Sequence, residues 1–234
     1  MSELYGFFFD ISGDYAHFRH LFTQSFFETL LAPPKTTISG ILAAALGYID
    51  EKEIIDLNER ILTGVRILNV KGFAQEIINI KNLKGKTVQF TPVYRNLIVK
   101  PTYRIYLGSN DRKLIISIQD ALKSPKHTLY LGISEALATI EKISPIDIVR
   151  KDSVLIIDSV APITDEENLP LHKVNKRDFI IPARRYHTVK SFKLSKNGRI
   201  PHEYIDLIMF YGGFLEFKKP IDVFQIQNEK VALY

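Results

Sequence analysis

The chain contains no cysteine. That excludes disulfide scaffolds, thiolate zinc sites, iron–sulfur clusters and cysteine nucleophiles, and it fits a reducing, cytoplasmic setting. Long apolar runs are missing too: the longest, Ile41 to Ile49, is too short to span a bilayer. No basic segment followed by a hydrophobic one opens the chain, so neither a signal peptide nor a membrane partner is expected. Neither a P-loop nor a GxGxxG loop occurs, and the G-x-S-x-G nucleophile elbow is absent. His17 and His20 stand three apart, as two ligands on a helical turn would, but no third ligand at a recognisable spacing completes a set. No metal and no cofactor are expected. No internal repeat or low-complexity tract is visible.

What remains is an ordinary globular composition, 46% hydrophobic and 24% charged over 234 residues. A chain of this size buries about 70% of its unfolded surface and needs no staple. The net charge of +5 is unevenly spread. Residues 60–113 carry 11 basic and 2 acidic groups, and residues 171–200 carry 9 and 1. The stretches around them are net acidic. Two basic blocks in an otherwise acidic chain are the electrostatic footprint of a polyanion binder, or else two solvated faces.

Leu4 to Ile11 is apolar and aromatic and reads as a buried first strand. Residues 15–34 are irregular, and Pro33-Pro34 breaks any helix there. From Lys35 to Gly47 the residues Ile38, Ile41, Leu42, Ala45 and Leu46 fall at helical spacing. Thr36, Thr37 or Ser39 offer caps and Gly47 a stop. Gly40 and its alanine neighbours suit close packing of this helix on a sheet. Glu51 to Ile61 is a shorter helix, and Val65 to Val70 a strand. Phe73 to Val99, with basic residues between weakly apolar ones, reads as a long hairpin whose tip lies near Asn82–Lys86. Thr102 to Leu107 is a strand. Leu114 to Lys123 suits either state and leans helical. Thr128 to Leu131 reads as a short strand, and Ser134 as the cap of a helix through Ile140. This β-α-β-β-α-β order with an inserted hairpin is the ferredoxin-like framework of RNA-recognition-motif domains. After Ser144-Pro145 the chain turns strand-rich: Val154–Ile157, Phe179–Ile181, Thr188–Leu194, Phe214–Phe217, Val223–Ile226 and Val231–Leu233. Residues 162–178 read as loop and Gly212-Gly213 as a turn.

Lys71-Gly72-Phe73-Ala74 matches half of an aromatic RNA-stacking motif, and Gln75 to Ile78 lacks the aromatics of the other half. Lys126-His127, near Tyr130, could serve metal-free RNA cleavage by general acid–base chemistry. The same residues after Pro125 equally read as a helix-to-strand turn. Arg184-Arg185, followed by Tyr186 and His187, fits a phosphate-contacting edge with aromatic neighbours.

Two segments carry a resemblance: Ser12-Gly13-Asp14-Tyr15-Ala16-His17-Phe18-Arg19, and Pro33-Pro34-Lys35-Thr36-Thr37-Ile38-Ser39-Gly40 through Gly47. Together they resemble the N-terminal signature of the fifth CRISPR-associated (Cas) protein family, RAMP-superfamily subunits of type I surveillance complexes. Lys100 to Leu107 looks like that family's central strand, and Ala121 to Glu135 like its helix, strand and turn. The overall flavour is that of the type I-B branch.

The resemblance implies an α+β fold: a ferredoxin-like RAMP palm in residues 1–145, a thumb hairpin over about 73–99, and a small β-rich C-terminal part in 146–234. It implies a non-catalytic subunit of the Cascade type that grips the 5′ handle of crRNA in antiviral defence. The Cas-seven backbone subunit and a Cas-eight-type large subunit would be its neighbours, and target DNA would be reached through the complex. The type I-C branch of the same fold cleaves pre-crRNA with a tyrosine, a lysine and a histidine. Lys126 and His127 invite that comparison, but no tyrosine partner is assigned by the sequence. Arg19 and Lys35 flank the signature. With Lys84, Lys86, Arg95, Arg104, Arg184 and Arg185, chosen on charge, they are the expected RNA contacts.

Overall fold

A computed structural model of the chain describes residues 3–20, 26–84, 87–174, 179–196 and 198–234. Helix α1 spans Lys35–Leu46 and buries Ile38, Ile41, Leu42 and Ala45, the positions its periodicity marked. It ends at Gly47, whose φ of 82° closes the last turn by donating its N–H to the Ala43 and Ala44 carbonyls. Its N-cap is Pro34, with no side-chain cap, so the hydroxyl caps expected at Thr36, Thr37 or Ser39 do not form. Ser39 lies inside the helix, its hydroxyl 2.7 Å from Asn58 Oδ1 on the next helix. That helix, α2 (Glu51–Arg60), is capped by Asp50. Helix α3 (Arg112–Lys123) is capped by Asp111 and buries Leu114, Ile115, Ile118 and Leu122.

The central sheet is antiparallel and five-stranded: the short Asp147–Ile148 pairs with the start of Tyr5–Gly13, and the four longer strands lie in the order Ala138–Ile143, Tyr5–Gly13, Thr102–Ser109, Leu62–Asn69. Numbered along the chain this is 4-1-3-2, the arrangement that two β-α-β units produce. The hairpin Gly72–Lys84/Thr87–Val99 is inserted between the second and third of these strands. One face of the sheet, with Phe7, Phe9, Ile11, Tyr103 and Ile105, packs on the helices in the largest apolar cluster.

Two expectations fail after α3. Thr128–Leu131 forms no strand; Tyr130 makes a single bridge to Leu137. No helix follows Ser134, because the chain turns tightly so that Ala138–Ile143 can pair with the first strand. Gly132 permits the turn: its φ is +89°, and a Cβ there would sit 1.9 Å from the His17 carbonyl oxygen.

The C-terminal part contains Arg150–Ile157, Leu171–Lys173 and Glu229–Val231 paired to Phe214–Ile226, and a hairpin of Ile181–Ser195 with Gly198–Tyr211. The strand Gly198–Tyr211 had no sequence expectation, since its first half carries Arg199, Pro201, His202 and Glu203. Gly212-Gly213 is the turn, with φ of 85° and 116°. The hairpin packs on α1 and α2. The main apolar cluster therefore crosses the expected boundary at residue 145, taking in Ile181, Leu207, Met209 and Tyr211.

Candidate nucleic-acid interface

RNA-recognition domains read single strands on the open face of such a sheet. Here that face is closed. Phe8 and Tyr106, side by side on the two central strands, are 4% and 0% exposed beneath Val149, Ile226 and Val231. Burying each large apolar side chain contributes about 1.5–3 kcal/mol. Lifting the C-terminal strands would expose several at once, against the ~1–3 kcal/mol a stacked base returns. The covered face wins, so RNA is held elsewhere or not at all.

The same closure fixes Arg104. Its guanidinium lies 2.7 and 2.8 Å from the two oxygens of Asp10, pairs with Glu229 and sits over the Phe8 ring. The Asp10 hydrogen bond, above all, holds its proton more tightly than an ordinary arginine does. This arginine is an internal tie between the sheet and the C-terminal strands.

The hairpin is different. Its two strands pair through thirteen registers without a break, and at about 3.3 Å per residue each runs about 40 Å. Alternation splits its side chains. Ala74, Glu76 and Ile78 face Leu97, Arg95 and Val93 on a half-buried side, and the Phe27 backbone bridges to the strand edge at Arg95. Phe73, Ile77, Val88, Phe90 and Tyr94 occupy the other side and stand exposed, Phe90 by 66%. Lys81 is paired with Phe90 on that side. Phe73 thus belongs to the hairpin and not to the central sheet, where the motif half-matched at Lys71–Ala74 would require it.

The remaining expected contacts fall into four groups. Arg19 is exposed with its guanidinium 4.5 Å from the centre of the Phe27 ring, and Arg184 is exposed beside Tyr186. Arg95 and Arg185 are held by carboxylates: Arg95 by Glu76 at 2.6 Å, and Arg185 by Glu166 at 2.7 Å and Asp206 at 2.5 Å. Lys35 is buried where α1 begins. Desolvation, reinforced by Lys190, lowers its pKa from 10.5 to about 8. Of the two tip lysines, Lys84 pairs its backbone with Thr87, and Lys86 lies outside the described residues.

Lys126 and His127 are exposed, and their backbone N–H groups donate to the Ala45 and Ala44 carbonyls at the end of α1. The Tyr48 N–H donates to Ala43 in the same turn, and the Lys126 side chain lies against Gly47. The fold thus brings the backbones of a tyrosine, a lysine and a histidine to one helix end, with the Tyr48 side chain half-buried against the main apolar cluster. Sequence reading missed Tyr48 because some eighty residues separate it from the other two; its place directly after the helix stop was the available signal. His17 is taken up structurally, buried with Nδ1 2.8 Å from the Asn96 carbonyl oxygen. Among the described residues no three His, Asp or Glu side chains are placed to hold a metal ion, and no helix is long and apolar enough to cross a membrane.

The family model described as CRISPR-associated protein (Cas_Cas5) matches residues 7–192. The chain belongs to this family. Among solved structures, a chain of a CRISPR RNA-guided surveillance complex superposes with a TM-score of 0.54 at 13% identity, over 91% of each chain. That likeness is one of fold. A Cas protein crystal structure is 25% identical, with a TM-score of 0.40, over 55% of this chain and 57% of that one. A chain of a type III-B Cmr-beta complex bound to target RNA gives 19% identity and a TM-score of 0.43, over 61% and 60%. This chain therefore spans under two thirds of the length of two of these relatives. No curated protein sequence matches. Family membership and the mixed, mostly stranded architecture agree with the α+β RAMP fold.

Proposed function

We propose that this Cas-family protein is an RNA-holding subunit of a CRISPR effector complex, gripping the 5′ handle of crRNA. In this reading the central sheet is a palm and the Gly72–Val99 hairpin a thumb. The observation that carries it is the hairpin itself: a projection about 40 Å long with one open apolar and aromatic face. A feature so exposed, on a scaffold whose sheet is covered on both sides, calls for a partner outside the chain. Aromatic rings beside Lys81 suit single-stranded RNA. A type I assembly, of the I-B branch, with a Cas-seven backbone and a Cas-eight-type large subunit as neighbours, is the finer form of the proposal.

One observation favours a second reading. Tyr48, Lys126 and His127 share one helix end, the residue types that the type I-C branch uses to process pre-crRNA. In that chemistry one group removes the proton of a ribose 2′-hydroxyl. The 2′-oxygen attacks the adjacent phosphorus, and the departing 5′-oxygen takes a proton from a second group, leaving a 2′,3′-cyclic phosphate. No metal is needed.

End-labelled CRISPR repeat RNA incubated with the protein in EDTA separates the two on a denaturing gel. Intact RNA, with a salt-sensitive band shift, supports holding. A single discrete cut that disappears in His127→Ala establishes processing and overturns the non-catalytic reading.

A further inference from the structure

Most glycines of this fold have an internal reason. A Cβ on Gly6 would lie 2.4 Å from the Leu107 carbonyl oxygen, and one on Gly64 2.7 Å from that of Ala232. Gly40 has none. It sits in the middle of α1, it is exposed, and a Cβ built there meets nothing within 4 Å. The close helix packing its smallness suggested is not made. Mid-helix glycine is less stable than alanine because the unfolded chain gains freedom. Here no contact among the described residues offsets that loss.

The empty space belongs to a cleft of about 200 Å³. Thr36, Gly40 and Ala44, one turn apart on α1, form its floor; Tyr130, Gly132 and Arg199 form its walls. Tyr130 is 44% exposed and lines the cleft. Arg199 comes from the C-terminal hairpin, and its Nε lies 3.4 Å from Glu51, an exposed pairing that a stronger anion can displace. At Ala44 the cleft reaches the turn carrying Lys126 and His127.

We propose that this cleft seats one nucleotide of single-stranded RNA, its phosphate at Arg199, its base on Tyr130, and its ribose against the bare helix backbone at Gly40. The inference rests on the RNA-holding reading and adds a site to it, away from the hairpin. A guanidinium, a tyrosine and threonine hydroxyls around a floor left bare at Gly40 match a nucleotide better than an apolar peptide. Single-stranded RNA laid along α1 from Arg199 would run toward Lys126 and His127.

The test uses the full chain and fluorescein-labelled single-stranded CRISPR repeat RNA. Gly40→Gln puts a side chain into the cleft from a position whose Cβ meets nothing within 4 Å. Its affinity is expected to fall at least fivefold while its Tm holds or rises. Gly40→Ala should raise the Tm and weaken binding less. Arg199→Gln should reduce the salt dependence by about one ion. A Gly40→Gln protein that binds like the parent overturns the cleft and leaves the RNA reading standing; a parent that binds no RNA overturns that reading, and the cleft with it. Photocrosslinking of 4-thiouridine-substituted repeat RNA to the unaltered chain needs no variant. Label on the peptide containing Tyr130 supports the cleft, and label confined to residues 72–99 contradicts it.

Discussion

The central sheet and the inserted hairpin both carry aromatic side chains on one face, Phe8 and Tyr106 on the first, Phe73, Phe90 and Tyr94 on the second. On the sheet they are covered by Val149, Ile226 and Val231 and bordered by Asp10, Arg104 and Glu229. On the hairpin they meet solvent. Two like rows on antiparallel strands thus have opposite uses. One fastens the C-terminal strands to the sheet, and the other is left for a partner. The difference teaches that a ferredoxin-like order does not by itself locate an RNA surface; what lies on the sheet decides.

The comparison breaks most visibly at Arg104. Arg104→Met leaves Asp10 buried without its cation and should lower stability by about 3–5 kcal/mol, read from the urea midpoint. A loss below about 1 kcal/mol would mean the pair is effectively solvated.

Lys35 sharpens the comparison in the other direction, since it is buried and the cost of desolvation outweighs the attraction of Glu203 and Glu59. Its pKa is depressed in the fold, so between about pH 8 and the unfolded value near 10.5 the unfolded chain binds the extra proton and stability rises with pH. Below pH 8 both states are protonated and the desolvation penalty is present in full. Lys35→Met should therefore stabilise the protein at pH 7 by as much as about 3 kcal/mol, with the gain shrinking by pH 10. A gain independent of pH would contradict burial of the charged form.

The hairpin's open face should separate stability from binding. Phe90→Ser with Tyr94→Ser is expected to shift stability by no more than about 0.5 kcal/mol and to weaken repeat-RNA binding roughly tenfold, the loss of one stacked base. Arg185 is itself exposed, held by the exposed Glu166 and the half-buried Asp206; Arg185→Ala should leave the urea midpoint unchanged, the smallest effect of the set.

Periodicity made the helices and the hairpin legible. The apolar spacing of Ile38, Ile41, Leu42 and Ala45 located α1, and Gly47 its end. Local signals misled where a distant strand set the outcome. Ser134 looks like a cap, yet the edge of the first strand claims residues 138–143. Arg199–Glu203 carry no strand signal of their own, yet they pair across a hairpin with Ser191–Leu194. The candidate site was less legible than the fold, because charge marks positions and not partners. Arg104 and Arg185 read as free cations until the fold brings Asp10, Glu229, Glu166 and Asp206 to them. Tyr48 joins Lys126 and His127 only through the packing of one loop on the end of α1.

The most direct test of where RNA lies is crosslinking within the assembled complex, with crosslinked peptides mapped by mass spectrometry. Crosslinks on the open hairpin face and along α1, with none on Tyr5–Gly13 or Thr102–Ser109, are predicted. Crosslinks centred on Phe8 or Tyr106 would show that the covered sheet opens to RNA, and would contradict the division of labour between the two aromatic faces.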